Sequence, residues 1–302
     1  MTSSAQRKNV LFIGIGNMGW PMAARLHAGG FRLSVNDASE ERGRAFADQV
    51  GGRFVPDPRE AAEADIIITM LPTSRHVAAV VDGLRPSLRR GQIVVDMTSG
   101  VPSTTQSIAA SLAPLGVSMV DAPVSGGVSR AISGDLTIMG GGDDAVLDEV
   151  DALLKAMGST IHRIGPIGSG QAMKALNNLV SAGGFLIGIE ALIIGQKFGI
   201  DASLMTDVLN ASTGMNNSTQ KKFKQFVLSR KFDSGFGLDL MVKDLSIALG
   251  IAREVDAASP FASLCRELSA AAAALLGPGQ DHTALAKLSE TLSGAELGVA
   301  GG

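Results

Sequence analysis

Short runs rich in Val, Ile and Leu recur through the first half of the chain: NVLFIGI, FRLSVND, RFVP, ADIIITML, GQIVVDM, VSMVDAP and DLTIMGG. Between them lie stretches of helical character. Strands that are apolar throughout, rather than alternating, belong to a parallel sheet covered on both faces. After about Ile164 helical periodicity dominates, through AMKALNNLVSAGGFLIGIEALIIGQKF, ASLMTDVLNAS, DLMVKDLSIALGIAREV and FASLCRELSAAAAALL. The pattern predicts an α/β domain over residues 1–164, doubly wound on a mostly parallel sheet, and an all-α domain over 165–302. A long interdomain helix joins them, RIGPIGSG turns the chain into that helix, and residues 294–302 are expected to be a flexible tail.

Composition narrows the functional classes. A chain of 302 residues suits two domains, at roughly 100 to 200 residues each. A hydrophobic fraction of 45% with 18% charge excludes a disordered chain. The net charge of -3 argues against nucleic acid as a partner, since a phosphate backbone calls for a basic face. Cys265 is the single cysteine, so neither an internal disulfide nor a cysteine zinc cluster is available, and it reads as packing. His27, His76, His162 and His282 fall in no ligand spacing, so no metal is expected. The polar start MTSSAQRKN has no signal-peptide core. The apolar stretch Leu179 to Phe198 approaches the length of a membrane span. Its polar head, its glycines, Glu190, Gln196 and the lack of basic flanking asymmetry favour a buried helix over a membrane span. A cytoplasmic protein is therefore expected.

VLFIGIGNMGWPMAARL places Gly14, Gly16 and Gly19 as G-x-G-x-x-G between a strand and a helix. The first glycine permits the turn, the second lets the backbone approach a pyrophosphate, and the third lets helix and strand pack closely. The loop Gly14, Ile15, Gly16, Asn17, Met18, Gly19 is thus a candidate dinucleotide cradle at a helix N-terminus. Asp37 ends the next strand, where a carboxylate can accept both ribose hydroxyls. It is followed by Ala38 and Ser39 rather than by an arginine for a 2′-phosphate, which favours NAD over NADP; Arg42 and Arg44, further on, keep NADP possible. Leu71, Pro72, Thr98 and Ser99 follow later strand ends, where ligands of open parallel sheets sit, although Pro, Ser and Thr are also common turn residues.

Two further stretches carry candidate chemistry. In DAPVSGG a strand gives way to a short helix, so Ser125, Gly126 and Gly127 offer a hydroxyl and backbone N–H groups suited to a carboxylate. Arg130 is either an anion contact near this loop or a solvated helix residue. In GSGQAMKALNN, Gln171, Lys174, Asn178 and Ser181 share one helix face, with Asn177 at its edge. Such a stripe can simply face water. It stops after two turns, however, while the apolar helix continues. Lys174 is placed to move the hydroxyl proton that accompanies hydride transfer, and desolvation would bring it down from its free pKa of about 10.4.

Four motifs in order, the glycine loop with PMAARL, DAPVSGG…A..G.L..M.GG, GSGQAMKALNN and MVKDL, resemble the β-hydroxyacid dehydrogenase family. The resemblance covers nearly the whole chain. It implies a Rossmann-like domain and an all-α domain, with NAD and a small hydroxy acid as ligands and a homodimer or homotetramer as the assembly. It further implies that Ser125, Gly126 and Gly127 grip the substrate carboxylate, Lys174 is catalytic, Asn178 and Asn177 hold the substrate, and Lys243 reaches over the cofactor. The expected activity is interconversion of a short 3-hydroxy acid and its semialdehyde. An NADPH-preferring aldehyde or imine reductase and a noncatalytic nucleotide-binding protein are the alternatives. Ile15, Arg25 and Arg130 depart from the family's usual residues, and residues 210–223, NASTGMNNSTQKKF, match no substrate signature.

Overall fold

The computed structural model describes residues 8–61 and 63–298. Among these, nine strands form one sheet: β1 (Asn9–Ile13), β2 (Arg32–Asn36), β3 (Arg53–Phe54), β4 (Ile66–Thr69), β5 (Ile93–Asp96), β6 (Ser118–Asp121), β7 (Val124–Ser125), β8 (Thr137–Gly141) and β9 (Thr160–Gly165). Their order is β3-β2-β1-β4-β5-β6-β8-β7, with β9 also paired to β8. The first six strands run parallel, and β8 lies antiparallel to β6 and β7. The mostly parallel sheet expected from the apolar runs is therefore present. Strand order reverses between β1 and β4, and at such a switch point a crevice opens outside the carboxyl ends of the strands.

Continuous apolar strands form because both faces are covered. Val10 and Phe12 of β1 join one core with Val35, Ile68 and Phe46, whereas Leu11 and Ile13 join another with Val77, Val81 and Leu112. The covering helices are α1 (Gly19–Ala28), α2 (Glu40–Gln49), α3 (Ser74–Leu84), α4 (Pro102–Leu112), α5 (Gly127–Ser133) and α6 (Asp144–Met157). Two strands went unread in the sequence for physical reasons. The two-residue β7 is too short to show a pattern, and β9 is an edge strand whose side chains are largely exposed.

The chain divides into compact units of residues 1–174 and 175–302. Helix α7 (Ser169–Phe198) begins in the first and continues into the second, which also holds α8 (Ala202–Asn210), α9 (Asn217–Lys221), a π-helical turn over Phe223–Leu228, α10 (Leu238–Glu254), α11 (Pro260–Leu276) and α12 (Ala286–Ser293). Phe185, Ile189 and Leu192 of α7 pack in this unit's core with Phe223, Val227 and Leu285. Of the described helices α7 alone is long and apolar enough to cross a membrane, yet 56% of that apolar window is buried inside the protein. The expected flexible tail needs correction. Residues 299–302 lie outside the described residues, but 294–298 are held: Leu297 is fully buried, its N–H donates to Glu290 (2.9 Å), and the Gly298 N–H donates to Gln196 (3.0 Å). The N-terminal residues 1–7 also lie outside the described set.

Candidate functional site

The glycine loop lies at the β1 carboxyl end, beside the reversal of strand order. Gly14 has φ of 94°, and a Cβ there would meet the Met70 carbonyl oxygen at 2.3 Å and Leu71 Cδ2 at 2.9 Å. A Cβ on Gly19 would fall 1.9 Å from the Gly14 carbonyl oxygen. On Gly16 it would meet nothing within 4 Å. Two glycines are thus consumed by packing, and the third keeps open the space that a pyrophosphate needs. The residues present fit a dinucleotide. Asp37 tightens the same loop: its carboxylate accepts from the Ile15 N–H (2.9 Å), the Ser39 N–H (2.8 Å) and the Arg42 guanidinium (3.1 Å). Arg42, separated from Asp37 by a helical turn in the sequence, is its ion-pair partner, while Arg44 pairs with Glu40.

The neighbouring strand ends are tied together. The Leu71 N–H donates to Thr98 Oγ1 (3.0 Å), so the Thr98 hydroxyl is turned inward and fully buried, whereas Ser99 is half-buried and Pro72 exposed. Thr98 therefore shapes this end of the sheet through Leu71.

Two buried acids that sequence reasoning missed anchor the start of α7. Asp121, closing β6, accepts the N–H groups of Gly168 and Gln171 (both 2.7 Å), capping the helix dipole. Asp96, closing β5, accepts from Thr69 (2.9 Å), the Thr98 N–H (3.1 Å) and Gln171 Nε2 (3.3 Å). Burial raises the pKa of both, that of Asp96 to about 6. Gln171 also donates to the Thr98 carbonyl (2.8 Å) and accepts the Gly100 N–H (2.7 Å). Its membership of the polar stripe therefore reflects anchoring. Lys174 follows three residues later on the same face and is buried, 9% exposed. The stripe does not face water.

In the carboxylate loop Ser125 is half-buried, while Gly126 (φ 137°) and Gly127 (φ 71°) adopt backbone conformations that side chains resist. A Cβ on Gly126 would meet the Arg130 stem at 2.9 Å. Arg130 itself is exposed, with Nε 3.9 Å from Asp135. Arg25, one of the departures, donates to the Ala156 carbonyl (3.4 Å) and so belongs to the helical packing.

In the second unit, Asn178 is buried and donates to Asp244 (2.5 Å), Asn177 donates to Asn178 (3.1 Å), and Lys243 Nζ lies 3.3 Å from Asp244. Asp244 is the buried hub of this group. The sequence offered its signal, the acid of MVKDL, but only its neighbour Lys243 had been singled out.

His282 is buried against Phe185 and Phe236, and its Nε2 has no hydrogen-bond partner. Burial, reinforced by Lys222, lowers its pKa to about 4 against the opposing pull of Asp281. The unfolded chain, with a histidine pKa of about 6.5, takes up that proton first, so acidification from about pH 6.5 towards 4 removes about 3 kcal/mol of stability. Asp96 works in the opposite sense, because its raised folded pKa favours the folded state as it protonates. The gap in unfolding free energy between the natural protein and His282→Gln isolates the histidine. It is expected to narrow by about 3 kcal/mol between pH 7 and 4. A gap independent of pH in denaturant titrations would contradict a neutral His282.

Residues 9–165 match the family described as the NAD binding domain of 6-phosphogluconate dehydrogenase. Residues 168–289 match the NAD-binding family of NADP-dependent 3-hydroxyisobutyrate dehydrogenase. The chain is similar to 2-(hydroxymethyl)glutarate dehydrogenase of Eubacterium barkeri, with 33% identity over 96% of this chain and 97% of that one. The NAD-dependent L-serine dehydrogenase of Pseudomonas aeruginosa is 34% identical, over 86% and 91%. Among solved structures, Mycobacterium tuberculosis 3-hydroxyisobutyrate dehydrogenase with L-serine superposes with a TM-score of 0.86, at 29% identity, covering 95% of this chain and 99% of that one.

Proposed function

This chain belongs to the β-hydroxyacid dehydrogenase family, and from that premise we propose that it oxidises the alcohol of a short 3-hydroxy acid to the semialdehyde with NAD, Lys174 moving the proton. NAD, when bound, accepts the hydride. Gly16 admits the pyrophosphate, and Asp37 receives the ribose hydroxyls. Ser125, Gly126 and Gly127 hold the substrate carboxylate with N–H and O–H donors, and Arg130 adds charge near the same loop. Asn178 orients the hydroxyl, Asn177 steadies Asn178, and Lys243 reaches over the cofactor. Lys174 takes the hydroxyl proton in oxidation and returns it in reduction. The observation that carries this reading is the buried Lys174 on a helix whose first turn is anchored by Asp121 and Gln171.

The test of the reaction class is a panel of acids differing in the position of the hydroxyl. 3-Hydroxyisobutyrate or serine is expected to reduce NAD, and lactate, whose only hydroxyl is on carbon 2, is not. Preferential oxidation of lactate would overturn the reading.

Cofactor choice follows from Asp37. Its carboxylate repels a 2′-phosphate and holds Arg42 to itself. Asp37→Ser is expected to weaken NAD about tenfold and to strengthen NADP by a similar factor, because Arg42 is released towards the phosphate. Titration of both nucleotides measures it; an unaltered preference would remove Asp37 from the ribose site.

The family assembly has a candidate surface. Met173, Val180, Ile187 and Ile194 recur every seven residues along α7 and are all exposed. A contiguous apolar stripe of this kind suits a second copy of the chain. Sedimentation is expected to show a dimer or tetramer, and a monomer at micromolar concentration would contradict it.

A further inference from the structure

The amide of Gln171 is almost fully buried and engaged on both sides. Its Nε2 donates to the Thr98 carbonyl (2.8 Å) and the Asp96 carboxylate (3.3 Å), while its Oε1 accepts the Gly100 N–H (2.7 Å). All three partners belong to the end of β5 and the turn that follows it. The backbone N–H of the same residue donates to Asp121, at the end of β6 (2.7 Å).

The turn that Gln171 grips is itself tied to its neighbour. The Leu71 N–H donates to Thr98 Oγ1 (3.0 Å) and the Val101 N–H to Ser74 Oγ (2.6 Å), so the turns after β4 and β5 are bound to each other at two points. Packing tightens the joint further, since a Cβ on Gly100 would meet Ser74 Oγ at 2.6 Å and Gln171 Nε2 at 3.4 Å. Both turns lie at the carboxyl ends of parallel strands, where the ligands of such a sheet sit. The amide thus joins the first turn of α7 to the wall of the dinucleotide crevice.

The two attachments of Gln171 act in different directions. Asp121 accepts N–H groups at the open end of α7, which point along the helix axis and fix where the helix starts. A side chain that reaches sideways to three groups of one turn fixes the rotation about that axis. Lys174 follows three residues on and projects from the same face, so that rotation also sets its direction. Asp96, Asp121, Gln171 and Lys174 all belong to the first compact unit.

We infer that Gln171 is a positioning residue, whose amide registers Lys174 against the turns that wall the dinucleotide crevice. This rests on proton transfer by Lys174, as proposed above. Misplacing a reacting group by about 1 Å can cost about 100-fold in rate, so an amide that only orients can still control turnover.

The test is Gln171→Met in the full-length protein, which keeps the length of the side chain and removes the three amide bonds. Turnover is counted per NAD-binding site, so that molecules which fail to fold do not enter the figure. We expect kcat per site to fall roughly 10- to 100-fold, with NAD affinity and the KM of the hydroxy acid changed by less than about threefold. Gly100→Ala strains the same joint from the side of the turn, and the same split is expected with a smaller loss, at least about threefold in kcat. A residue that served stability alone would leave kcat per site unchanged in both variants, and that result would overturn the positioning role. An equal fall in NAD affinity and kcat would overturn it too, by making Gln171 part of the cofactor site. Should Gln171→Met bind no NAD, Gly100→Ala decides alone by the same criterion. Normal turnover in Lys174→Ala would instead remove the proton-transfer reading on which the inference stands, whereas normal turnover in Gln171→Met beside an inactive Lys174→Ala would remove the inference only.

Discussion

Lys174→Ala is expected to bind NAD almost as tightly as the natural protein while losing at least about 100-fold in turnover, the usual contribution of a positioned acid–base group. The lysine is buried and sits one turn beyond Gln171, whose side chain and N–H are fastened to the ends of β5 and β6. Removing the ammonium leaves that anchorage and the glycine loop untouched, which is why binding and turnover should separate. Lys174→Arg should fail nearly as badly, because a guanidinium keeps the charge but cannot release its proton. Steady-state kinetics beside an NAD titration decides the matter. Turnover of Lys174→Ala within a few-fold of normal would remove the lysine from proton transfer.

The second large effect divides two glycines of the same loop. Gly19→Ala forces a Cβ to within 1.9 Å of a backbone oxygen, so α1 must move off β1 and the first unit should lose about 2–4 kcal/mol of stability. Gly16→Ala meets open space, so the fold should be unaffected. Its methyl group instead occupies the approach of the pyrophosphate, and NAD affinity should fall at least about tenfold. Denaturant unfolding and NAD titration on both variants separate the two costs. Normal NAD binding by Gly16→Ala would show that the open space is not the cofactor's.

The parts legible in the sequence were those with a periodic or local cause. β1, β4, β5 and β6 could be read because burial on both faces demands continuous apolar runs, and α7 because its polar residues fall at spacings of three and four. The glycine loop was legible because each glycine answers a separate local constraint. What escaped depends on long-range partners. Asp121 is 47 residues from Gly168 along the chain, and Asn178 is 66 from Asp244, so no local pattern announces either bond. Arg42 was read as keeping NADP possible, and the fold adds an ion pair with Asp37, one helical turn back in the sequence. Ser181 was read as part of the stripe, but its partner Lys222 arrives through the packing of Phe223 on Gly188.

The central claim is NAD-linked oxidation at the third carbon of a short hydroxy acid, and reduced nicotinamide is its direct readout. Purified protein mixed with 3-hydroxy acids and either cofactor should form NADH with saturation in both substrates. Its kcat/KM with NAD should exceed that with NADP at least about tenfold, as the carboxylate of Asp37 requires. No cofactor reduction by any acid of the panel, with NAD or NADP, would contradict it.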